Sequence, residues 1–225
     1  MEKKENNFKV KTIVLIGMFC AIAFVITLLS KLIPIQVAGF LTFDLKDVIV
    51  AICGFILGPL PAVIVTVVSS LIEMLTISAT GPIGLLMNVL STCAFAVPIS
   101  IVYKNRKQFK FAIFGIILGI FCMTAIMLLW NWLITPLYMG VPRDVVVGML
   151  LPVFLPFNLL KGGINGALTL LLYKPVVTAL RKAKLVASSS QSQGPRKKLS
   201  VETTIVSIFV LASLVLVVLV WTKVI

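Results

Sequence analysis

The chain has 225 residues, of which 60% are hydrophobic and only 12% charged, and its mean hydropathy is +1.16. Such a composition cannot cover a water-facing surface with polar groups, which excludes a soluble globular protein. The net charge of +13 does not point to nucleic acid either: the basic residues sit in short connectors between apolar runs, and no basic, aromatic-bearing domain exists to grip a nucleic acid.

A bilayer core about 30 Å thick takes roughly 20 apolar residues per helix. The predicted fold is all-α and polytopic, a six-helix membrane bundle with one additional C-terminal transmembrane helix. Residues 1–11 form a charged N-terminus, and no small-residue cleavage site follows, so the first apolar run, Thr12–Ile33, is read as a retained helix. A mixed segment with Pro34, Gly39, Asp44, Lys46 and Asp47 comes next. The apolar stretch Val48–Ser78 is too long for one crossing and is cut by Gly58-Pro59-Leu60-Pro61, which predicts two helices joined by a tight hairpin. SATGP at 78–82 is a turn, and a fourth helix runs over Pro82–Val102 to the basic connector KNRKQFK at 104–110. The fifth helix covers Phe111–Leu137. The sixth, Val145–Thr178, is longer than a crossing requires and is predicted to break or tilt near Pro152 and Pro156. Residues 12–184 thus form the membrane domain. Residues 185–202, with ASSSQSQG at 187–194, read as a flexible cytoplasmic linker, and 203–225 as the additional helix.

Lysine and arginine placement predicts orientation. With six helices before the linker, the connectors holding Lys3, Lys4, Lys9 and Lys11, then Lys104, Arg106, Lys107 and Lys110, then Lys174, Arg181, Lys182 and Lys184 fall on one side. The opposite connectors carry little more than Lys31, Lys46 and Arg143. The expectation is a multi-pass cell-membrane protein with a cytoplasmic N-terminus.

Polar side chains at membrane depth are costly and need a partner or a purpose. Asn158, Lys161 and Asn165 share one helical face through spacings of three and four. Asn131 lies between Trp130 and Trp132, with Glu73 and Asn88 on neighbouring helices. Such groups can simply tie helices together. As a set they predict a polar pocket for a neutral, planar ligand, since amides both donate and accept and aromatic rings supply flat walls. Gly17 and Ala21, extended by Ala23, are small residues suited to close helix packing or to docking another membrane protein. Asp44 and Asp47 are read as capping the second helix. The chain lacks histidine, nucleophile elbow and P-loop, and its four cysteines lie in apolar runs without CxxC spacing.

The run FLTFDLKDVIVAICGFILGPLPAVIVTVVSSLIEML at 40–75, TGPIGLLMNVLST at 80–92, WNWLITPLYMG at 130–140 and PFNLLKGGINGAL at 156–168 resemble the substrate-binding S components of energy-coupling factor transporters, closest to the riboflavin-specific members. The resemblance covers about residues 10–184 and leaves residues 185–225 outside it. It implies a non-enzymatic vitamin binder that captures riboflavin or a related flavin as its transported ligand, with no cofactor of its own. A membrane coupling subunit and two ATPase subunits would be its partners in the bilayer. It implies a lid over Ile35–Asp44, including Leu41, Thr42 and Phe43. Glu73, Met87, Asn88, Asn131, Asn158, Lys161 and Asn165 would then contact substrate, and Gly17, Ala21 and Ala23 would pack on the coupling subunit. Three alternatives stay open: the same fold with another vitamin such as thiamin, a stand-alone facilitator, and a membrane-embedded enzyme acting through Asp44, Asp47 and Glu73.

Overall fold

The computed structural model describes residues 2–32, 36–37, 41–105, 108–183 and 185. The predicted linker, apart from Leu185, and the predicted helix over 203–225 lie outside the described residues.

The first helix, α1 (Glu2–Leu32), is followed by a two-residue antiparallel ribbon, β1 (Gln36–Val37) and β2 (Leu41–Thr42), in which Val37 pairs with Leu41. The stretch Val48–Ser78 does split in two. Helix α2 (Lys46–Leu57) ends where Gly58 takes φ 97°, a left-handed value that favours glycine, and Pro59 starts α3 (Pro59–Thr76) at a position that needs no N–H. Helices α4 (Gly81–Asn105) and α5 (Phe109–Leu133) follow. The fifth helix is shorter than expected: Pro136 has no N–H to extend it, and the chain restarts as the short α6 (Thr135–Met139). The sixth breaks as predicted, with α7 (Arg143–Met149) passing through a π-helical turn (Leu150–Phe154) around Pro152 into α8 (Leu155–Lys182).

Among the described residues, five helical segments are long and apolar enough to cross a bilayer, and α2 is not one of them. Its 12 residues rise about 18 Å. It can be short because it is the inner helix: Lys46, Asp47, Val48, Val50–Ile52 and Cys53–Phe55 are all buried against its neighbours. The outer surfaces of the long helices are apolar instead. Leu32, Leu60, Leu75, Phe121 and Leu151 are among many large side chains left exposed, which suits a lipid surround and not water. Helices α4 and α5 approach so closely that a Cβ added at Gly119 would lie 2.5 Å from the Phe95 carbonyl.

The bundle has two unlike ends. At one, the α2–α3 turn sits beside Lys104 at the end of α4, so that a Cβ at Gly58 would be 3.8 Å from that side chain. Lys110 near the start of α5 and Lys174, Arg181 and Lys182 late in α8 belong to the same end. The other end gathers the β-ribbon, the end of α1, the start of α2, and α6 and α7.

Candidate ligand-binding site

Three lysines and three carboxylates meet at the ribbon end. Glu73, in the last turn of α3 and 6% exposed, receives the Lys46 ammonium at 3.0 Å and that of Lys31 at 3.2 Å. Asn88 donates to the same carboxylate at 3.2 Å, so one acid ties α1, α2, α3 and α4 together. Lys46 also donates to Ser70 Oγ, and Lys31 to the Ile77 carbonyl.

The second group centres on Lys161 of α8. Its ammonium lies 2.8 Å from Asp44 and 3.6 Å from Asp47. Thr92 donates to Asp47 at 2.6 Å, while Asn165 Nδ2 lies 3.2 Å from the Asp44 carbonyl and 3.4 Å from Asp47. The expected role of the two aspartates at the head of the second helix holds in part, since Asp47 stands in the first turn of α2. Asp44 accepts the Lys46 N–H, and both carboxylates also pair with Lys161. Asp47 is fully buried in α2, where an unpaired carboxylate would be costly, and the Asp44 side chain, just before that helix, is 16% exposed. Burial opposes charge on Asp44, yet Lys161 and Lys46 beside it, each also hydrogen-bonded to it, hold its carboxyl below the usual range.

Next to these groups a cavity opens between β2, α4, α5 and α6. Leu41, Met87, Trp130, Asn131, Thr135 and Tyr138 line it, and its interior open to a water-sized group is narrow, about 60 Å³. Asn131 is fixed in place: Nδ2 donates to the Met127 carbonyl at 2.7 Å and Oδ1 accepts from Thr135 at 2.8 Å. Because a carbonyl only accepts, the amide orientation is settled by chemistry.

The structure thus brings Leu41, Met87 and Asn131 to one cavity, pairs Glu73 with Asn88, and sets Lys161 and Asn165 on the aspartates. Asn158 stands apart, donating to the Phe154 carbonyl one turn back at 2.8 Å. Thr42 is exposed and Phe43 half-buried beside the Asp44 corner. Trp130 reaches the cavity, whereas Trp132 lies outside it with the Arg143 guanidinium 5.4 Å from its ring centre. Gly17 and Ala21 are exposed on the outer face of α1, but Ala23 is fully buried in the core and is removed from that face. Sequence reasoning missed Lys46, Lys31 and Thr92. The clue was Lys46 itself, a lysine flanked by aspartates at the head of an apolar run, read as a connector charge though it is 1% exposed.

The chain matches the family described as the substrate-specific component of ECF transporters over residues 11–173. It belongs to that family. The S component is 30% identical over 186 residues to the riboflavin transporter RibU of Staphylococcus aureus (strain TCH60), an alignment covering 80% of this chain and 97% of the relative. It also superposes on the solved S component of a bacterial ECF transporter with TM-score 0.65 and 28% identity, covering 77% of this chain and 99% of that one. It is a multi-pass membrane transport component and not an enzyme, so the alternative of catalysis through Asp44, Asp47 and Glu73 is set aside. The vitamin is bound as cargo, not as a cofactor. Its family implies association with the subunits of the ECF module and a vitamin ligand.

Proposed function

We propose that this S component captures riboflavin at the ribbon end of the bundle and delivers it to a membrane coupling subunit driven by two ATPase subunits. The carrying observation is the neutral, aromatic cavity beside a charge-balanced cluster: Lys31, Lys46 and Lys161 face Asp44, Asp47 and Glu73, three charges of each sign. No cation there is spare for a phosphate and no carboxylate is spare for a cationic vitamin such as thiamin. The lining suits a neutral ring system once the narrow cavity widens, with Trp130 and Tyr138 as apolar walls and the Asn131 amide at its edge. Asn165 Oδ1, fully buried, has no protein donor among the described residues and offers an acceptor next to the cluster. The similarity to a riboflavin transporter supports the same ligand.

Glu73, Asn88, Lys161 and Asn165 then act by shaping this end, and Leu41, Met87 and Asn131 by touching the ligand. Thr42, Phe43 and Asn158 would join as the walls part to admit a ring system. The basic end is cytoplasmic by the distribution of lysine and arginine, which puts the N-terminus inside and the cavity outside. Gly17 and Ala21, exposed on α1, are the face offered to the coupling subunit. The test is the ligand that survives purification. A yellow preparation whose extracted ligand has the mass of riboflavin supports the proposal, and a different vitamin at equal stoichiometry overturns it.

A further inference from the structure

A second cavity lies at the basic end, remote from the ribbon. Its interior is about 190 Å³, and Phe55 of α2, Tyr103 of α4, Phe109 and Ala112 of α5, and Tyr173 and Lys174 of α8 surround it. Three rings form its floor. The Phe55 centroid lies 4.5 Å from that of Tyr103 and 5.1 Å from that of Tyr173, and the two tyrosine rings are 5.6 Å apart, edge to face. The tyrosine hydroxyls are hydrogen-bonded at 2.7 Å. Two hydroxyls own two protons and their mutual bond uses one. The other has no protein acceptor among the described residues and is available to a ligand.

We propose that this cavity binds an anionic phospholipid, with acyl carbons against the rings and Ala112 and the phosphate at Lys174. Each end of the site matches one end of that molecule. The floor is aromatic and apolar, Lys174 is exposed beside it, and the spare phenol proton supplies a neutral donor. The location also fits. Lys104, Lys110, Arg181 and Lys182 crowd the same end of the bundle, and basic pockets between transmembrane helices select acidic headgroups. The ligand cluster at the ribbon end is charge-balanced by contrast, so the two cavities favour opposite kinds of molecule.

The experiment uses the full chain exchanged from detergent into vesicles of phosphatidylglycerol and phosphatidylcholine in equal amounts, then re-extracted and measured by native mass spectrometry. One phosphatidylglycerol per chain should be retained. Lys174→Ala, at an exposed position, should lower retention of phosphatidylglycerol relative to phosphatidylcholine about fivefold, the effect of one basic residue near an anionic surface. Ala112→Phe should fill the cavity and abolish retention while leaving the helical circular dichroism unchanged. Equal retention of the two lipids by the unaltered chain, or full retention by both variants, would overturn the proposal. So would a chain that keeps no phospholipid at all.

Discussion

Lys46 and Glu73 are joined at 3.0 Å with their side chains 1% and 8% exposed, at the start of one helix and the end of the next. The pair closes the ribbon end of the α2–α3 hairpin, just as Gly58 and Pro59 close its other end. Both charges are out of water, so each depends on the other and on the Ser70 and Asn88 side chains that complete their bonding.

Removing one partner should therefore be far worse than removing both. Glu73→Ala leaves the Lys46 ammonium buried and unpaired and should cost about 3–5 kcal/mol. Lys46→Met with Glu73→Leu should recover most of this loss, since Lys31, one-third exposed, can turn its charge to the surface. Thermal unfolding in detergent of the two variants checks this.

Protonating Asp44 should loosen the same end. Its pKa is lowered in the folded chain, so its contribution to stability is complete above the ordinary value of 3.8 and fades as pH falls through the lower folded value. The stability advantage of the chain over Asp44→Asn, measured from pH 7 down to pH 3, should hold level and then drop below about pH 4. Asp44→Asn should be less stable at neutral pH.

In the ribbon-end cavity, Asn131→Ala removes the amide held between Met127 and Thr135. Riboflavin affinity should weaken by about 1–3 kcal/mol, the cost of a lost buried hydrogen bond. Trp132→Phe, outside the cavity, should leave affinity unchanged, while Trp130→Phe should alter the quenching of flavin fluorescence.

Two small residues of α1 should separate docking from folding. A Cβ added at Gly17 would meet nothing within 4 Å outside its own helix, so Gly17→Leu should leave the fold and ligand binding intact and block uptake by the assembled transporter. Ala23 is fully buried, so Ala23→Leu should instead destabilise the chain by about 1–3 kcal/mol through overpacking. Binding and uptake assays on the two variants distinguish these outcomes.

Much of the fold could be read from local signals. Gly58-Pro59 marked the hairpin because glycine admits a left-handed turn and proline starts a helix, and Pro152 marked the break before α8. The short α2 was less legible, since its apolar run looks like a crossing and only packing reveals that its neighbours shield it from lipid. Glu73, Lys161 and the amides were found, but Lys46 and Lys31, which pair with Glu73, and Thr92, which donates to Asp47, were not. Lys161 is 117 positions from Asp44, and no local spacing announces that pairing. Asn158 shares a helical face with Lys161 and Asn165 yet bonds its own backbone, because periodicity fixes a direction and not a neighbour. Ala23 was grouped with Gly17 and Ala21 by size, although a step of two from Ala21 turns it to another side of the helix.

The most direct test of the account is a calorimetric titration of the purified chain with riboflavin. One site per chain with a dissociation constant below micromolar is the predicted result, and its affinity should fall in Asn131→Ala. Absence of binding at micromolar riboflavin, in a preparation freed of endogenous ligand and still helical, would contradict it.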